Sequence, residues 1–196
     1  MEFGDQKQRL LEVGIELIAA KGYTGTSIRD IANAHGTSIS NIYHYFGSKE
    51  GLLVAILEYL SGKLLAGLRK EFEEAREPLE GLRRLVHNHL DLSVAFFDGA
   101  KIFLLDAEHF SAEGNRISRR IQVEVLDIYV EQLRRLREAG LIGDGNLKIM
   151  AFNILACINW QMRWFRPAGP LAVEEVQREI LEFVLYGVLG KDGRKS

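Results

Sequence analysis

The first proline in this chain is Pro78, and only Pro167 and Pro170 follow it. Proline removes a backbone donor and clashes with the preceding helical turn. Its scarcity leaves long stretches free to coil, and helical patterning fills them. "DQKQRLLEVGIELIAAKG" has Asp5 and Gln8 at capping-box spacing, an apolar stripe of Leu11, Ile15 and Ile18, and a stop at Gly22. "SKEGLLVAILEYLSGKLLAGLRKEFEEAR", capped by Ser48, runs on until Pro78 opens the next helix. "PLEGLRRLVHNHLDLSVAFF", "AKIFLLDAEHF", "ISRRIQVEVLDIYVEQLRRLREAG", "LKIMAFNILACINWQMRWF" and "VEEVQREILEFVLYGVLG" follow, separated by "GLIGDGN" and "RPAGP". With two short helices before Ser48 the pattern predicts an all-α chain of about nine helices. The helices are short and punctuated before residue 50, and long and apolar after it. That shift divides the chain into residues 1–50 and 51–196 with no flexible linker.

Several function classes drop out. Hydrophobic residues make up 47% and charged residues 27%, a globular balance, and the net charge of -2 does not by itself favour nucleic acid. The single Cys157 excludes an intramolecular disulfide and reads as packing. No metal or cofactor is expected. No Glu-x-x-His pair occurs, "HNH" at 87–89 points three ways around one helix, and "GDGN" at 143–146 is a turn and cap. No catalytic residue stands out, so no enzyme is expected. The N-terminus lacks a signal pattern, and no uninterrupted apolar run approaches the roughly 20 residues of a membrane span. The expected location is cytoplasmic, without a membrane partner.

"IANAHGTSISNIYHYF", residues 31–46, breaks a good helix at Gly36 and restarts it at Ser38 with many aromatics. Two helices of about two turns joined by a glycine-containing turn make a helix-turn-helix. Thr26 or Ser27 caps the first. Ile28, Ile31, Ile42 and Phe46 have the spacing to bury one shared face, and Ala32 lets the helices cross closely. Thr37, Ser38, Ser40, Asn41, Tyr43 and His44 then face outward, short hydrogen-bonding groups suited to base edges and phosphates in a major groove. On spacing alone, an αα-hairpin used only for packing, its polar face solvated, remains open.

"GYTGTSIRDIANAHGTSISNIYHYFGSKEGLL" resembles the N-terminal domain of the TetR (tetracycline-repressor) family of bacterial transcriptional regulators, over roughly residues 8–55. The resemblance implies that the second short helix enters the major groove. Thr26 and Ser27 would meet phosphates, Thr37, Ser38, Ser40 and Asn41 bases or backbone, and Tyr43, His44 and Lys49 phosphates. The sequence departs from the family pattern at His35, Thr37 and Ile39. It further implies a repressor released from a palindromic operator by a small hydrophobic effector; the alternative is a helical ligand-binding or assembly protein without DNA-binding activity.

Residues 1–50 carry Lys7, Arg9, Lys21, Arg29 and Lys49 against Glu2, Asp5, Glu12, Glu16, Asp30 and Glu50. Without a basic excess one copy should bind a polyanion weakly, and two copies on one duplex become part of the mechanism. In the terminal helix Val173, Val176, Ile180, Val184 and Val188 form a stripe suited to a dimer seam. The preceding helix, with Ile154 and Ile158, is apolar on nearly every side; an intramolecular bundle without a partner is the other reading. The family resemblance implies that these two helices pair with their mates as a four-helix bundle.

"NWQMRWFRPAGPL" stacks Trp160 and Trp164 on one face with Arg163 and Arg166 beside them. Arginine next to aromatic faces suits an anionic group on a partly apolar ligand. Alternatively, the tryptophans are core and the arginines cap the helix. The phrase also resembles TetR-type regulators that respond to acyl-CoA thioesters. That resemblance implies a pocket for an acyl chain inside the bundle, for which Phe97, Phe103, His109 and Tyr129 are candidates.

Overall fold

The computed structural model describes residues 2–99 and 110–190, with side chains from residue 5 onward. Phe103 and His109 lie outside the described residues. Eight helices are described in full: α1 Glu2–Gly25, α2 Ile28–His35, α3 Ile39–Phe46, α4 Lys49–Glu74, α5 Pro78–Ala95, α6 Ala112–Glu138, α7 Leu147–Trp164 and α8 Val173–Leu189. A further helical stretch begins at residues 97–99. No strand occurs among the described residues. The helix expected to open at Asp5 already runs from Glu2, so Asp5 is interior rather than a cap. Its regular coil breaks at Gly22, where φ is 75°.

The described residues of Met1–Gly62 and Phe96–Arg120 form one compact unit, and those of Lys63–Ala95 and Ile121–Ser196 another. In the first, α1 packs on α2 and α2 on α3. Leu10, Ile18, Ile31, Ile42, Leu52, Leu53 and Ile56 are fully buried there. Ile28 joins them, while Phe46 is only half-buried, with the Lys7 ammonium 5.9 Å from its ring.

In the second unit α5 packs against α7 and α8, and α7 against α8. Leu82, Leu85, Val86, Leu90, Leu133, Ile154 and Ile158 fill its core. Polar fasteners bind the elements: Gln132 donates to the Pro78 carbonyl at 2.6 Å, and Gln177 to Asp91 at 2.9 Å. Arg135 donates to the Phe72 carbonyl and lies 3.5 Å from the centre of that ring. By length and composition α4 is the one described helix able to cross a bilayer; its Leu52, Leu53, Ile56, Leu57, Leu65 and Leu68 are buried within the protein.

Candidate functional site

Local hydrogen bonds build the helix-turn-helix. Ser27, with extended backbone, caps α2: its Oγ accepts from the Asp30 N–H at 3.1 Å, and the Asp30 carboxylate accepts from the Ser27 N–H at 2.8 Å. The Ser27 hydroxyl also donates to that carboxylate at 2.6 Å, and this bond, followed by the one from the Ser27 N–H, holds the Asp30 carboxyl below its usual range. α2 ends at Gly36, whose φ of 77° is the left-handed conformation that a side chain disfavours. Both Gly36 and Thr37 return their N–H groups to the Ala32 carbonyl. Ser38 caps α3 by accepting from the Asn41 N–H at 3.1 Å.

The chain then turns sharply into α4, where Ser48 accepts from the Gly51 N–H at 2.9 Å. A Cβ on Gly51 would lie 1.9 Å from the Phe46 carbonyl oxygen, so only glycine admits this close approach of α4 to the end of α3. Lys49 fastens the same corner. Its ammonium donates to the Tyr23 carbonyl and lies 4.2 Å from the centre of the Tyr23 ring.

The predicted polar face of α3 is largely realised. Ser38, Ser40, Tyr43 and His44 are exposed, Tyr43 at 48%. Thr37 and Asn41 are half-exposed and joined, the Asn41 amide donating to the Thr37 hydroxyl at 2.9 Å. Three expectations need correction. Thr26 is only 1% exposed and its hydroxyl donates to the Leu17 and Gly22 carbonyls, so it closes the end of α1 and cannot meet a phosphate through that group. The Ser27 hydroxyl and N–H both donate to the Asp30 carboxylate, at 2.6 and 2.8 Å, so neither is left for a phosphate. Lys49 is half-buried, and one of its three donors goes to the Tyr23 carbonyl.

The last two helices turn most of the expected stripe inward. Ile154, Ile158, Val176, Val184 and Val188 are buried within the single chain, Val184 at 3% exposure, and Val173 and Ile180 are half-buried. The expectation that this stripe forms the dimer seam is therefore corrected: α5 and the neighbouring helix already cover most of it. The exposed apolar residues are aromatic, with Trp160 at 63%, Phe183 at 68% and Tyr186 at 61%, alongside Ile149, Phe152, Trp164 and Leu171. A groove of about 610 Å³ runs along this face, lined by Cys157, Trp164, Leu171, Val176, Ile180, Phe183, Tyr186 and the glutamates 175, 179 and 182.

Trp160 and Trp164 do share a face, but it is the outer one, so they do not line an interior pocket. Arg163 and Arg166 are exposed. Arg166 donates to the Phe165 carbonyl at 2.8 Å, the helix-capping role. The residue of this stretch that does turn inward is Gln161: it is buried, and neither its amide oxygen nor its amide nitrogen has a hydrogen-bond partner. Glutamine at position 161 lies about 100° around the helix from Trp160, which places it on the core side once the tryptophans face out.

Tyr129 is fully buried on α6 and shares a 3.1 Å hydrogen bond with His89 of α5. Burial pushes the His89 pKa down to about 4, keeping the imidazole neutral, and pushes the Tyr129 phenol up. Sequence patterning missed His89 because a lone histidine in "HNH" carries no signal of the side it faces. Phe97 is half-buried. No cluster able to hold a metal ion occurs among the described residues.

Comparisons with known proteins agree with both ends of this architecture. Residues 10–56 match the family described as bacterial regulatory proteins, tetR family, and residues 75–188 match the tetracyclin repressor-like C-terminal domain. The HTH-type transcriptional repressor KstR2 of Rhodococcus jostii is 29% identical, over 93% of this chain and 91% of that protein. The crystal structure of the TetR family transcriptional regulator PfmR from Thermus thermophilus superposes with a TM-score of 0.84 and 32% identity, covering 90% of this chain and 97% of that one. The ketosteroid transcriptional regulator KstR2 of Mycobacterium tuberculosis superposes with a TM-score of 0.83 and 25% identity, over 94% and 95% of the two chains.

Proposed function

This chain belongs to the TetR family of bacterial transcriptional regulators, and from that membership we propose that it represses transcription in the cytoplasm as a homodimer on a palindromic operator. Residues 1–50 serve as the DNA-binding part and residues 51–196 as the ligand-binding and dimerisation part. α3 enters the major groove. Asn41 reads a base edge, Thr37, Ser38 and Ser40 contact base or backbone, and Tyr43, His44 and the remaining donors of Lys49 hold phosphates. The observation that carries this reading is the exposed polar face of α3, set by Ser38 and Gly47 caps at its two ends.

The aromatic outer face of α7 and α8 joins the two copies. Exposed rings of this size, clustered on two adjacent helices, mark a surface that another protein covers. Pairing supplies the affinity that a module without basic excess lacks alone.

The effector is a small hydrophobic molecule, with an acyl-CoA thioester as the first class to test. Support comes from the resemblance of "NWQMRWFRPAGPL" to acyl-CoA-responsive members. The buried, unpartnered Gln161 amide adds to it, since a polar group on an apolar ligand could satisfy that amide. Release requires the effector to bind the DNA-incompetent arrangement better than the competent one. A mobility shift on the DNA upstream of the gene, with and without acyl-CoAs of increasing chain length, tests both parts. A shift that none of them reverses leaves repression standing and removes the acyl-CoA class. No shift removes the repressor.

A further inference from the structure

The outer face of α7 and α8 carries charge that its apolar burial does not require. On α7, Arg163 is exposed beside Trp160, its guanidinium 5.8 Å from the centre of that ring. On α8, Glu175, Glu179 and Glu182 follow one another at helical spacing beside the exposed Phe183 and Tyr186, and all three border the groove. Glu179 pairs with its neighbour Arg178 at 3.1 Å, an exposed contact. Among the described residues, no ion pair within the chain involves Glu175, Glu182 or Arg163.

A two-fold interface must be complementary to itself, so a feature on one helix has to find its match on the same surface of the other copy. The single cation Arg163 on α7 and the acidic edge on α8 satisfy that condition, because each meets the other twice. Resting on the reading above that a second copy covers this face, we propose that charge sets the register in which the two copies pair. Arg163 of each subunit lies against the acidic edge of the partner subunit's α8. The rings supply the buried area. The charges align the two copies and turn away apolar surfaces that lack the acidic edge.

Sedimentation velocity on the full chain tests this with Arg163→Glu, with the triple variant Glu175→Lys, Glu179→Lys, Glu182→Lys, and with their equimolar mixture. Each variant alone should self-associate at least about tenfold more weakly than wild type, because every pairing becomes like-charged. The mixture should regain a heterodimer, since both edges are then complementary. Arg163→Gln, which adds no repulsion, should reduce the salt dependence of wild-type dimerisation. A dimeric wild type with Arg163→Glu associating equally tightly overturns the proposal, as does a mixture no tighter than its components. Either result leaves the dimeric repressor intact. A monomeric wild type overturns the proposal together with the dimer reading on which it rests.

Discussion

The Asn41 amide nitrogen donates to the Thr37 hydroxyl at 2.9 Å, one turn away on the same side of the recognition segment. One amide proton is thereby committed, which fixes the orientation of the group and leaves its oxygen and second proton to face outward. An amide held this way presents a defined donor–acceptor pair to an adenine edge. Thr37→Val should release it with little change in volume. The expected outcome is lost discrimination between the operator and single-base variants at one position, by part of the roughly 1–3 kcal/mol of a bidentate contact, matching Asn41→Ala in position. Competition binding with a base-substitution series checks it.

Tyr43 is expected to behave differently. Tyr43→Phe removes one hydroxyl from a half-exposed ring and should weaken binding to all sequences by about 0.5–1.5 kcal/mol, leaving base preference unchanged. Anisotropy titrations against operator and scrambled duplex would expose a sequence-dependent loss, the outcome that contradicts a phosphate contact.

The helix-turn-helix was legible because its signals are local. Ser27, Gly36 and Ser38 act on backbone groups within four residues of themselves, and spacing alone reveals them. Thr26 was not legible. Its hydroxyl partners, Leu17 and Gly22, lie on the preceding helix, and only the folded corner brings them into reach. The last two helices failed for a different reason. α8 carries two apolar stripes, one of valines and one of Phe183 and Tyr186, and periodicity cannot say which of them the core takes. The core took the branched aliphatic side chains and left the rings outside.

Gln161 should be a stability cost. Two unpartnered polar atoms at a buried position cost about 1–3 kcal/mol in desolvation, so Gln161→Leu, close in volume, should raise the unfolding midpoint of the ligand-free protein. A lower midpoint in denaturant titrations would show that the amide has a structural partner.

His89 makes stability pH-dependent. Its pKa falls from about 6.5 in the unfolded chain to about 4 in the fold, so between these values the unfolded state binds more protons. This contribution is fully present above about pH 6.5 and is lost as pH falls toward 4, by up to about 3 kcal/mol. His89→Leu should lack that component while keeping the loss due to carboxylates. Urea titrations of both proteins across the window check it, and parallel curves would contradict it.

The central claim is that two copies read two-fold DNA through α3. A hydroxyl-radical footprint of the gene's upstream region by the full-length protein tests it most directly. The account predicts two protected patches related by a dyad, their centres about 34–36 Å or a multiple of this apart. A single unpaired patch, or no protection by folded protein at micromolar concentration, would contradict it.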